Sequence, residues 1–242
     1  MNEQRRPAFY ALRPGGWRDL VTILHPPYTA WHLSYVAIGA AVAPELHVDR
    51  LVAALAAFFL AVGVSAHALD ELNGRPLGSA LSDRTLIALA AGGLAGAVGI
   101  GISGLAIVSL SLAPFVVAGA FIVVAYNLEL FGGRFHTDLW FAVAWGAFPA
   151  ATGYWVNALE VEPAGALVTA ACFGLSVAQR RLSTPVRELR RRTVSVRGEQ
   201  RLAGGEVVEL TEARLAAPLD GALRALSFAV VALAAGLIAL RL

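Results

Sequence analysis

The stretch "AVGVSAHALDELNGRPLGS", residues 61–79, decides how the chain reads. It is apolar as far as Ala66, then carries His67, Asp70 and Glu71, then Gly74-Arg75-Pro76. A run of this kind reads as a membrane helix leaving the hydrocarbon for a wet interface. On a helix His67, Asp70 and Glu71 stand at i, i+3 and i+4 and share a face. They stand at the C-terminal end, where the helix dipole is negative, so the two carboxylates repel each other and the dipole. A bound cation removes both penalties. Carboxylates suit magnesium, and an imidazole among them admits manganese, zinc or iron. Arg75 follows within a turn, placed to hold a phosphate beside such a metal. A plainer reading stands next to it: acids end a membrane helix because the interface is wet, with Arg75 or Arg84 as ion-pair partners.

The remainder of the chain says what kind of helix this is. Only 15% of the 242 residues are charged and 57% are hydrophobic, against about a quarter charged in soluble domains. That composition reads as an integral membrane protein. All 19 basic residues are arginine, and the net charge of +2 gives nucleic-acid binding no support. The single cysteine, Cys172, excludes an internal disulfide and a cysteine-based metal cluster. The first 20 residues, polar and aromatic, are not expected to form a cleaved leader.

Apolar runs long enough to span a bilayer lie at 28–44, 48–69, 85–102, 104–127, 138–158, 163–182 and 221–240, about seven spans in one domain covering 1–242. Arginine marks alternate connections. Arg5, Arg6, Arg13 and Arg18 precede the first span, and Arg75 and Arg84 follow the second. Arg134 follows the fourth, and a run from Arg180 to Arg201 follows the sixth. The positive-inside rule therefore puts the N-terminus in the cytoplasm. The expected location is multi-pass, in a bacterial plasma membrane. The polar segment 183–219 is an expected cytoplasmic insertion that could dock a protein partner. Its alternation around Gly204-Gly205 suits a β-hairpin with strands near 193–197 and 206–210, and an amphipathic helix or loop fits nearly as well.

A second polar cluster lies in "YNLELFGGRFHTDLWF". Tyr126, Asn127, Glu129, Arg134 and His136 fall at the same end as His67, and Asp138 reads better as a helix cap than as a ligand. His32, inside the first span, reads as a hydrogen bond to a neighbouring helix. The small residues of "AAGGLAGAVGIGISG" are packing chemistry, since the run opens no phosphate-binding turn.

The order of these features resembles the UbiA superfamily of intramembrane prenyltransferases. It runs from Pro26 at the first span, through "HALDE" closing the second, "GRPL" and "SDRTLIALA", to "YN" closing the fourth and "GAFPAATGYW" in the fifth. The similarity covers roughly residues 18–200. The resemblance implies an all-α bundle with a cavity open to the cytoplasmic face and to lipid. It implies a magnesium-bound isoprenyl diphosphate whose prenyl group passes to a lipophilic acceptor. By analogy His67, Asp70 and Glu71 hold the metal, with Asp70 and Glu71 catalytic. Arg75 and Arg134, joined by Arg180 and Arg181, hold the diphosphate. The chain departs from the family in three places, one being that a single span follows the sixth where the family usually has three. Its first motif carries His67 where asparagine is usual, and where a second aspartate motif is expected it reads "SVAQRRLSTPVRELRRRTVSVRG". Two other readings follow from those departures. One is a different metal enzyme, with Glu129 or His136 joining the triad. The other is a non-catalytic lipid- or quinone-binding membrane subunit.

Overall fold

The computed structural model describes residues 7–242; Arg5 and Arg6 lie outside the described residues. The chain is mostly helical. A short helix α1 (Trp17–Ile23) leads through an elbow at His25 into α2 (Pro26–Ala41). Then follow α3 (Val48–Leu72), α4 (Asp83–Ile107), α5 (Leu110–Asn127), α6 (138–158), α7 (Pro163–Arg191) and α8 (Glu212–Ala239). Four of these, α3, α4, α5 and α8, are long and apolar enough to cross a membrane. Large apolar side chains such as Ile102, Val117, Phe228 and Leu233 are exposed on them. Water would penalise such faces, and lipid covers them without cost. The chain is a multi-pass membrane protein. The other three long helices occupy the remaining expected spans, but α2 has only 16 residues and α7 ends in a run of arginines.

Sequence chemistry sets the helix ends. Ser82 accepts from the Thr85 amide (3.2 Å) to start α4, and Thr211 caps α8 in the same way. At α6 the cap is Thr137, which accepts from Trp140 N–H. Asp138, expected as the cap, is the first helical residue and instead pairs with Arg180. Pro occupies the first turn of α2 and of α7, where its missing N–H costs nothing.

The centre of the bundle is α2, whose Trp31, Tyr35, Val36 and Ala40 are fully buried. It meets α6 backbone to backbone. A Cβ on Gly39 would overlap the Ala150 carbonyl, and one on Gly153 the Val36 carbonyl. Small residues permit this approach. On its other side α2 packs against α8, and α3 packs against α4. Two π-helical stretches interrupt the regular helices, Phe59–Ala66 within α3 and Val143–Ala147 within α6.

Helix ends gather at two poles. At one pole His47 N–H donates to Asn157 (2.8 Å), Trp155 donates to Ser111 (3.0 Å), and Arg241 donates to the Ala43 and Pro44 carbonyls. The opposite pole holds the arginine-rich connections. There α7 continues to Arg191 instead of stopping near 182, because Val186 and Ser183 keep a buried face turned to the bundle. With α8 beginning at Glu212, the polar connection shrinks to 192–211. It contains a hairpin, β1 (Glu199–Arg201) antiparallel to β2 (Val207–Glu209), in the register Arg201↔Val207. The first strand lies later than 193–197. The tight turn fixes this, with Leu202 N–H on Glu206 (2.8 Å), Gly205 N–H on Leu202 (2.9 Å) and Gly205 at φ 88°.

Candidate functional site

Two hollows lie side by side in the bundle. At the arginine-rich pole a polar cavity of about 130 Å³ is enclosed by the N-terminal segment, α2, α3, α5, α6, α7 and α8. Beside it a larger, apolar groove of about 320 Å³ runs along α3, α4, α5 and α6. Leu94, Ala97, Ile122, Phe115 and Phe148 line the groove. Val62 and Trp145 line both hollows. Each of these two residues belongs to a π-helical stretch, a local widening often found at functional sites.

The cavity contains part of the expected constellation. His67, Asp70, Tyr126, Asn127, His136 and Arg180 all line it. Tyr126 stacks on His136 at 4.5 Å, and the His136 ring bonds the Tyr126 carbonyl at 3.0 Å. Arg180 donates to Asp138 (2.6 Å) and lies 5.2 Å over the Phe141 ring. His32 also lines the cavity and, as its position implied, bonds a neighbouring helix through the Trp145 carbonyl (2.7 Å).

Glu71, Arg75, Glu129, Arg134 and Arg181 are not among the lining residues. Glu71 is 1% exposed, and its carboxylate accepts from the Leu77 amide (2.9 Å) and the Ser79 amide (2.8 Å). It fastens the loop after α3. Arg75, at φ 53°, clasps the same loop through the Leu81 carbonyl (2.5 Å) and an ion pair with Asp83. Glu129 stands 3.9 Å from His136 outside the hollow. Arg134 and Arg181 are exposed.

His67, Asp70 and Glu71 therefore do not converge as a ligand set. Consecutive residues on a helix point about 100° apart, so Asp70 faces the cavity while Glu71 faces the loop. His67 is held by the Gly63 carbonyl at 3.3 Å and stacks on His25 at 4.1 Å. No group of three or more metal-capable side chains occurs among the described residues. Of the three expected ligands, His67 and Asp70 reach the cavity.

Several lining residues carried no expected role: Tyr10, His25, Tyr28, Gln179, Ser183, Arg187, Arg190, Arg191 and Asp220. The α7 members had a legible signal. Arg180, Ser183, Arg187 and Arg190/Arg191 recur every three or four residues, which places them on one helix face. Asp220 comes from α8 and holds Arg190 in an ion pair. Tyr10 and His25 come together by the turn of the N-terminal segment over the bundle, and Tyr10 Oη and His25 Nδ1 share a hydrogen bond of 2.6 Å.

Burial dominates the electrostatics at the mouth. It pushes the His25 imidazole well below its usual range, with His67 and then Arg191 and Arg187 adding to the effect. Burial likewise raises the Tyr10 phenol, with Tyr28 next. Burial, followed by repulsion from Arg180 and Arg191, lowers Arg187. His25 is thus neutral. The Gln179 Oε1 and Asp220 Oδ1 atoms are buried without a hydrogen-bond partner, a state that costs free energy until a ligand or water supplies one. Comparison with protein-family models, curated proteins and solved structures found no match to the chain.

Proposed function

We propose that the chain is a divergent UbiA-like prenyltransferase. It takes an isoprenyl diphosphate and passes the prenyl group to a lipophilic acceptor within the bilayer. The observation that carries this reading is the adjacency of an arginine-faced cavity and an apolar groove, which share Val62 and Trp145 in their walls. An amphiphile with an anionic head and a branched hydrocarbon tail matches that division. The head sits among the α7 arginines and the tail lies along Leu94, Ile122 and Phe148. Breaking the allylic C–O bond builds negative charge on the leaving group, and fixed guanidinium groups stabilise it. Trp145 and Tyr126, packed edge to face at 5.5 Å, exclude water from the carbon left behind. The arginine-rich pole faces the cytoplasm, with the seven long helices crossing the membrane.

One observation favours a second reading, a non-catalytic lipid-binding subunit. Glu71 and Arg75, which the family resemblance assigns to chemistry, are engaged in fastening a loop. Diphosphate release separates the two. Purified chain mixed with geranylgeranyl diphosphate and a lipid-extracted acceptor pool is expected to release diphosphate. Ala97→Phe, which fills the groove, is expected to abolish release. Binding of the substrate without release from any acceptor pool would establish the second reading instead.

A further inference from the structure

Of the arginines on the cavity face of α7, two are already matched. Arg180 is paired with Asp138, and Arg190 with Asp220. Arg187 and Arg191 have no carboxylate within ion-pair distance among the described residues. Arg187 bonds only the Thr184 hydroxyl, weakly, at 3.4 Å. Arg187, half-buried, and Arg191, exposed, both line the cavity, as does Asp70. Two cations face one anion in a half-buried hollow. Such a site is short of negative charge, and planar guanidinium forks match phosphoryl oxygens.

We propose that Arg187 and Arg191 bind the pyrophosphoryl group directly, with no divalent cation required. This deepens the prenyl diphosphate reading above and rests on it. Two acidic motifs bridging metal ions to a diphosphate would need carboxylates turned into the cavity from two helices. This chain turns in Asp70 from α3, and Asp220 from α8 has one carboxylate oxygen on Arg190 and the other without a partner. The arginines stand where the second set of acids would be needed, and they supply the positive charge themselves. Asp70 then opposes the ligand's charge instead of recruiting a metal. The sign of its mutational effect is therefore the reverse of a metal ligand's.

The test is calorimetric binding to the full chain in detergent, in EDTA and in magnesium. The probes are inorganic pyrophosphate, a non-hydrolysable geranylgeranyl diphosphate analogue and geranylgeraniol. Pyrophosphate reports the head site alone, and geranylgeraniol the groove alone. Both diphosphates are expected to bind in EDTA, without tightening in magnesium. Arg187→Gln and Arg191→Gln are each expected to weaken binding by about tenfold or more. Arg187→Lys, which keeps the charge and loses the fork, should fall between wild type and Arg187→Gln. Asp70→Asn is expected to tighten diphosphate binding in EDTA. Thermal unfolding of each variant confirms that it is folded. Binding that appears only with magnesium and disappears in Asp70→Asn would overturn this inference and leave the prenyl diphosphate reading intact. Absence of diphosphate binding in both buffers would overturn both. Binding in EDTA unchanged by either glutamine substitution would also overturn the arginine assignment.

Discussion

Glutamine at Glu71 separates a structural carboxylate from a metal ligand. The native carboxylate is buried and accepts two backbone N–H bonds, from Leu77 and Ser79. Glutamine keeps one acceptor and turns an NH2 toward the other amide. One charge-assisted bond is lost and two donors are left facing each other, a cost of about 3 kcal/mol. For a chain of this size that lowers Tm by roughly 6–12 °C. The assay is thermal unfolding of the purified chain in detergent with EDTA, read by tryptophan fluorescence. Asp70→Asn, one residue away but facing the cavity, is expected to change Tm by less than about 2 °C. The reasoning is refuted if Glu71→Gln unfolds with the wild type in EDTA. It is equally refuted if the difference between them appears only when a divalent cation is added.

His25 gives a pH dependence. Burial holds its imidazole neutral, with a folded pKa well below the unfolded value. Below about pH 6.5 the unfolded chain gains a proton that the folded chain refuses, so stability is lost as pH falls. His25→Asn tolerates the left-handed backbone at φ 46° and is expected to lose less Tm than wild type between about pH 7.5 and about pH 5. Gly153→Ala drives a methyl into the Val36 carbonyl, separating α2 from α6 at a cost of about 1–3 kcal/mol, visible as a lowered Tm. Asp220→Asn leaves Arg190 unpaired in a partly buried site, and a loss on the order of 2 kcal/mol is expected, with Asp220→Asn/Arg190→Met recovering part of it.

Much of the fold was legible because a bilayer forces one pattern. Long apolar runs such as 85–102 and 104–127 have few ways to satisfy their backbone groups other than as helices, and α4 and α5 lie there. Boundaries were less legible where polarity and helicity part company. "STPVRELRR" is too polar to span, yet it continues α7 because Val186 keeps packing inward. The site was half legible. His67 and Asp70 were found by helix spacing. Glu71 was grouped with them because its other employment, two amides of a loop six and eight residues on, leaves no mark in the sequence. The arginine face of α7 was written in a spacing of three and four, but only a helix continued past 182 makes that spacing a face. Tyr10, His25 and Asp220 reach the cavity from α8 and the N-terminal segment, and such convergence has no local signature.

The central claim is that one amphiphile lies across the two hollows, its head at Arg187 and Arg191 and its tail in the groove. The most direct measurement is photocrosslinking of the full chain with a prenyl diphosphate bearing a diazirine at the tail end, followed by peptide mapping. The account predicts adducts on groove residues such as Leu94, Ile122 or Phe148. It also predicts that pyrophosphate suppresses them and that Arg187→Gln/Arg191→Gln loses them. Adducts on the lipid-facing surface of α8, or groove labelling that neither pyrophosphate nor the double substitution changes, would contradict it.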